Sequence, residues 1–242
     1  MSIASYANME EISLDDEDRN CLEYKLLMVF AQRNLSASQY GELLERHIRT
    51  GPIQLQGLGP TLPSTQGKEA NGYKGDAEPV KVTLIAEKLV NIIHTTSPAL
   101  RKTSPCFYRS FSVEPDGGVD GEDKIVQDIV ALLRQSGDRL NEQMNKDKTL
   151  RQSLFSYAFF KKVADCFLEN LDLSGETEVQ QQSVKLAYTM DVATKLTAVD
   201  NHPMNRVMGF GVKYLKEHFS PWIETHGGWE KALNILDEEE VE

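Results

Sequence analysis

Over residues 184–199 apolar side chains return every three or four positions, at Val184, Leu186, Ala187, Met190, Ala193, Leu196 and Val199. That period is helical. Lys185, Asp191 and Lys195 interrupt the run, and charges of this kind are costly in a lipid-facing helix unless they meet water. The stretch is therefore expected to be the central helix of a water-surrounded bundle.

The rest of the chain agrees with an all-α fold. No segment sustains the apolar-polar alternation of a strand, and from residue 122 helical patterns follow one another at 122–147, 149–170, 176–199, 203–218, 220–226 and 228–236. Their short connections force neighbours to pack nearly antiparallel. Near the start, residues 20–32 place Leu22, Leu26, Val29 and Phe30 at helical spacing, with the acids of 15–18 expected to cap the helix, and 38–48 predicts a second, weaker helix.

Five regions result. Residues 1–50 form an acidic N-terminal segment with the first helices. Residues 51–79 are rich in Gly and Pro, carry few large apolar side chains, and are expected to be a flexible linker. Residues 80–121 hold a short amphipathic helix and a polar loop, 122–236 the helical core, and 237–242 an acidic tail.

Charge and composition exclude several classes of function. With a net charge of -11 and no Lys/Arg-rich stripe, the chain lacks the basic field that nucleic acid requires. No uncharged apolar run approaches the roughly 18 to 20 residues of a spanning helix, and acids stand where a signal peptide would be basic, so no integral membrane insertion and a cytosolic location are expected. Cys21, Cys106 and Cys166 are odd in number and far apart, which suits reduced thiols better than disulfides or zinc.

Enzyme chemistry finds no foothold. The histidines at 47, 94, 202, 218 and 226 never adopt i, i+4 metal spacing, and no cysteine has a catalytic neighbourhood. Gly209-Phe210-Gly211 lacks a preceding strand and a third glycine, and is read as a close contact between helices. No cofactor is expected.

Two segments are more specific. In Ser220-Pro221-Trp222-Ile223-Glu224-Thr225-His226-Gly227-Gly228-Trp229, Ser220 is expected to cap a short helix that Pro221 opens, and the glycine pair to end it before another begins. Trp222 and Trp229, the chain's two tryptophans, flank the turn. In residues 125–144, Ile125, Ile129, Leu133, Leu140 and Met144 line one helix face around Leu133-Arg134-Gln135-Ser136-Gly137-Asp138-Arg139-Leu140-Asn141. Such a face can fill a hydrophobic groove, with Gly137 allowing close approach and Asp138 offering a carboxylate to an arginine at the rim.

Together these segments resemble the second and third homology motifs of the Bcl-2 family of apoptosis regulators, in the order the family uses. The resemblance implies a bundle in which a central hydrophobic helix is wrapped by amphipathic ones. It further implies that Ile129, Leu133, Gly137, Asp138 and Leu140 form the death-helix binding face. Trp222, Ile223, Gly227, Gly228 and Trp229 would then be the structural turn motif. The partners implied are other Bcl-2 family proteins, pro-survival members above all, with mitochondria reached only through them.

The chain also departs from that pattern. Where groove-bearing members carry Asn-Trp-Gly-Arg, whose arginine pairs with the incoming death-helix aspartate, residues 176–183 read Glu-Thr-Glu-Val-Gln-Gln-Gln-Ser. Ser136 replaces a usual aliphatic anchor, a loss of roughly 1.5 to 3 kcal/mol or about one to two decades of affinity. A soluble, non-enzymatic regulator acting by helix-in-groove binding is the reading these features favour. Its alternative is a helical adaptor of the same fold without direct apoptotic activity, binding unrelated cytosolic partners.

Overall fold

A computed structural model describes residues 19–50, 77–96, 121–135, 140, 156–200 and 206–235. Among them the regular elements are all helical: α1 (Leu22–Asn34), α2 (Ala37–Thr50), α3 (Ala77–Thr95), α4 (Gly121–Gln135), α5 (Tyr157–Glu169), α6 (Glu178–Val199), α7 (Arg206–Thr225) and the single turn α8 (Trp229–Ala232).

The 184–199 run lies in α6, which packs against α1, α2, α3, α5 and α7. Burial on every side poses a problem for its polar residues, and local hydrogen bonds solve it. The hydroxyls of Thr189, Thr194 and Thr197 donate to carbonyls one turn back, those of Lys185, Met190 and Ala193. Asp191, itself buried, pairs with Lys195 at 2.7 Å. A capping box starts the helix: Thr177 Oγ1 accepts from Gln180 N, and Gln180 Oε1 accepts from Thr177 N at 2.9 Å.

α7 approaches α6 through Gly211, where a β-carbon would stand 2.9 Å from that of Ala193 and 3.3 Å from Leu27 Cδ1. The small-residue contact expected at Gly209-Phe210-Gly211 is present. Around it Phe160, Phe210 and Tyr157 form an aromatic cluster with centroids 6.1 to 6.5 Å apart. Across the α5–α7 seam Tyr214 donates to Asp165 at 2.7 Å, and Tyr157 donates to Glu217 while Lys213 lies 4.3 Å from the Tyr157 ring centre.

Several boundaries differ from the sequence expectation. Residues 206–225 form one helix, with Ser220 and Pro221 inside it rather than opening a new one. Proline removes the hydrogen bond to the Glu217 carbonyl and crowds that carbonyl with its ring. Phe219 and Ile223, both buried, stay on the stripe begun by Val212 and Leu215, and that burial offsets the loss. α3 begins at Ala77, inside the expected linker, and accommodates Pro79 in its first turn. α1 begins after Cys21, which makes no side-chain cap; residues 15–18, expected to cap it, lie outside the described residues. The helix expected at 228–236 is only Trp229–Ala232.

Candidate functional site

α4 carries the apolar face singled out in the sequence. Its stripe points inward, with Val126, Ile129, Val130 and Leu133 buried and Asp123, Lys124 and Asp128 exposed. Leu140, beyond the end of α4, is buried as well. Ile129, Leu133 and Leu140 are thus brought into the core, while Gly137 and Asp138 lie outside the described residues. So does the rest of the second half of the helix expected at 122–147, Leu140 apart.

The principal neighbour of α4 among the described helices is α5. Apolar packing is supplemented by one cation. Arg134 Nη2 donates to the carbonyl of Asn170, the residue capping the end of α5, at 3.2 Å, and its guanidinium lies 5.4 Å from the centre of the Phe167 ring. Burial pushes the guanidinium pKa down from its ordinary value, and the side chain sits half-buried in this seat. Asn170 is fixed in turn by donating to the Cys166 carbonyl at 2.6 Å. Phe167 rests on Tyr188 of α6, with ring centres 5.8 Å apart. Sequence reasoning did not find this cluster: Arg134 reads as one more polar residue of an amphipathic helix.

The second motif forms the α7–α8 corner. Gly228 N donates to the Ile223 carbonyl at 2.9 Å and Gly227 N to that of Glu224 at 3.0 Å, the paired bonds of a Schellman closure. Gly227, at φ 82°, takes its left-handed position, where a β-carbon would also lie 3.1 Å from Lys231 Cδ. Gly228, at φ 102° and ψ 175°, occupies a region open essentially to glycine alone. The two glycines are required for different reasons.

Ile223 is buried, and Trp222 and Trp229 are half-buried against the core. Trp222 packs at a tilt against His226, centroids 5.1 Å apart, and its buried Nε1–H has no acceptor among the described residues. The chain leaves this corner by the same device, with Ile235 N donating to Glu230 O and Asn234 N to Lys231 O; Asn234, at φ 53°, takes the left-handed position and stops α8 early. Lys81 on α3 pairs with Glu230 at 3.3 Å.

The segment where a receptor motif would stand is the start of α6. Thr177, Gln180, Gln181 and Ser183 bond locally there, to each other or to carbonyls within eight residues, and none carries a charge. Among the described residues no helix is long and apolar enough to cross a membrane. The half-buried Cys21 and Cys166 thiols are pushed up by burial.

A central helix wrapped by amphipathic neighbours, an amphipathic 121–135 helix with a buried apolar face and a Trp-Ile-x-x-x-Gly-Gly-Trp corner define a Bcl-2-like bundle. Comparison with known proteins agrees. The chain is 32% identical to human apoptosis facilitator Bcl-2-like protein 14 over an alignment covering 99% of each, and 42% identical to the mouse protein of that name over 66% of this chain and 53% of that one. Human Bcl-2-like protein 12 is more distant, 24% identical over 66% of this chain. No family model and no solved structure matches. The chain belongs to the Bcl-2 family of apoptosis regulators, and its likeness to Bcl-2-like protein 14 runs nearly end to end.

Proposed function

We propose that this chain is a non-enzymatic regulator of apoptosis that lends residues 124–146, as an amphipathic helix, to the hydrophobic groove of another Bcl-2 family protein, a pro-survival member. It would act in the cytosol, reaching mitochondria through such partners. Ile129, Leu133, Gly137, Asp138 and Leu140 are the contact face; Trp222, Ile223, Gly227, Gly228 and Trp229 hold the bundle's corner.

The observation that carries the reading is that Ile129, Leu133 and Leu140 are between 0% and 2% exposed. Their common face has the shape and polarity to be fully desolvated by helical surfaces, and a groove demands the same. The test is a fluorescence-anisotropy titration of a labelled 124–146 peptide against purified pro-survival grooves. Saturable binding is expected; a free peptide that never binds would overturn the reading.

A second reading is a helical adaptor with no direct apoptotic activity. It is favoured by the uncharged capping box at Thr177 and Gln180, which offers no arginine to a visiting death helix. Full-length protein that ignores every pro-survival member yet holds another partner through residues 1–50 would support it.

A further inference from the structure

The face proposed to enter a partner's groove already has a seat on α5, and the two seats compete. Both bury the same apolar side chains. Because this contribution is common to home and partner, it largely cancels in the choice between them. Interactions that α4 makes only at home then decide. Among those described, Arg134 makes them: the hydrogen bond to the Asn170 carbonyl and the approach to the Phe167 ring.

We infer that Arg134 is the clasp that keeps α4 on its own bundle, a positioning residue that sets how readily the helix is released. The inference rests on the preceding reading only for what the released helix does next. The clasp itself stands on the geometry. A charge-assisted bond to a helix-end carbonyl is among the stronger neutral-to-cation contacts. A partly desolvated cation beside an aromatic face adds to it. The site on α5 is prepared: the Asn170 side chain is tied to the Cys166 carbonyl, and Phe167 is backed by Tyr188. Arginine is suited to both contacts at once, since its planar fork donates and stacks, whereas lysine offers only a point charge.

The test is hydrogen exchange, resolved by segment, on the full chain and its Arg134→Ala, Arg134→Lys and Phe167→Leu variants. Arg134→Ala is expected to speed exchange in 121–135 about tenfold while α6 keeps its protection, and Arg134→Lys to fall between it and the parent. Phe167→Leu attacks the clasp from the other side, and combined with Arg134→Ala it should add less than the two single effects together. Unchanged exchange in α4, or equal acceleration in α4 and α6, would overturn the clasp.

Competition of the folded proteins against the labelled peptide separates the two proposals. If Arg134→Ala opens α4 but competes no better than the parent, the groove-binding reading fails and the clasp survives. Faster exchange together with better competition supports both.

Discussion

Gly211 on α7 and Ala193 on α6 stand so close that a β-carbon on the glycine would lie 2.9 Å from that of the alanine. The contact sets how near the central helix and its principal neighbour can come. Gly211→Ala is expected to push them apart and destabilise the protein by about 1 to 3 kcal/mol. Gly41, inside α2 with nothing within 4 Å of its would-be β-carbon, is the control. There alanine should stabilise by about 0.5 to 1 kcal/mol. Urea unfolding of both variants checks the pair, and equal shifts of the same sign would contradict it.

The corner glycines should fail differently. Gly228→Ala forces a side chain into φ 102°, a strain of about 1 to 3 kcal/mol that lies in the backbone itself, since no described atom stands within 4 Å of the added β-carbon. Gly227→Asn, by contrast, keeps a residue tolerant of the left-handed region and should be the milder change, as Asn234 already shows at the end of α8. Thermal unfolding of the two variants gives the ranking.

Alkali should unfold the protein through its tyrosines. Burial pushes the Tyr24 phenol up from 10.0 to about 12, and Tyr214 and Tyr157 are raised further, by burial first and then by their bonds to Asp165 and Glu217. A raised acid favours the neutral form in the folded state. Its contribution is complete below the unfolded value of 10.0 and is lost as pH rises through the folded values, for Tyr24 between 10.0 and about 12. Phenolate absorbance followed beside helical circular dichroism should show part of the eight tyrosines ionising only as the helices melt. Complete ionisation with helicity intact would refute this.

Leu133→Glu has to be made in two settings. In the free 124–146 peptide it should abolish groove binding, because a carboxylate would be buried without a partner. In the whole chain the residue is 2% exposed, so the same change should also unseat α4 from α5. Loss of binding by the full-length variant alone is therefore ambiguous, and the peptide comparison, read with the helicity of the full-length variant, separates recognition from folding.

What the sequence disclosed is what depends on neighbours along the chain. The period of 184–199, the stripe through Ile129 and Leu133 and the paired glycines are local patterns, and each has its physical counterpart in α6, α4 and the α7–α8 corner. Pro221 misled because the local rule places proline after a serine cap at a helix start. Burial of Phe219 and Ile223 on one stripe, a tertiary effect, carries the helix through it. Arg134 was invisible for a similar reason: its partner carbonyl is 36 residues away, at the end of another helix. The seat of Gly137 and Asp138 lies outside the described residues.

The placement of the tryptophans has an optical consequence. Both indoles of the chain belong to the α7–α8 corner, one tilted against His226 and the other opening α8. Intrinsic emission excited at the indole band therefore reports on that corner, whereas the 121–135 helix carries no chromophore of its own. A titration followed by emission alone can look silent while α4 departs, and a tryptophan or dye placed on an exposed α4 position such as Lys124 would give the protein a second, independent signal.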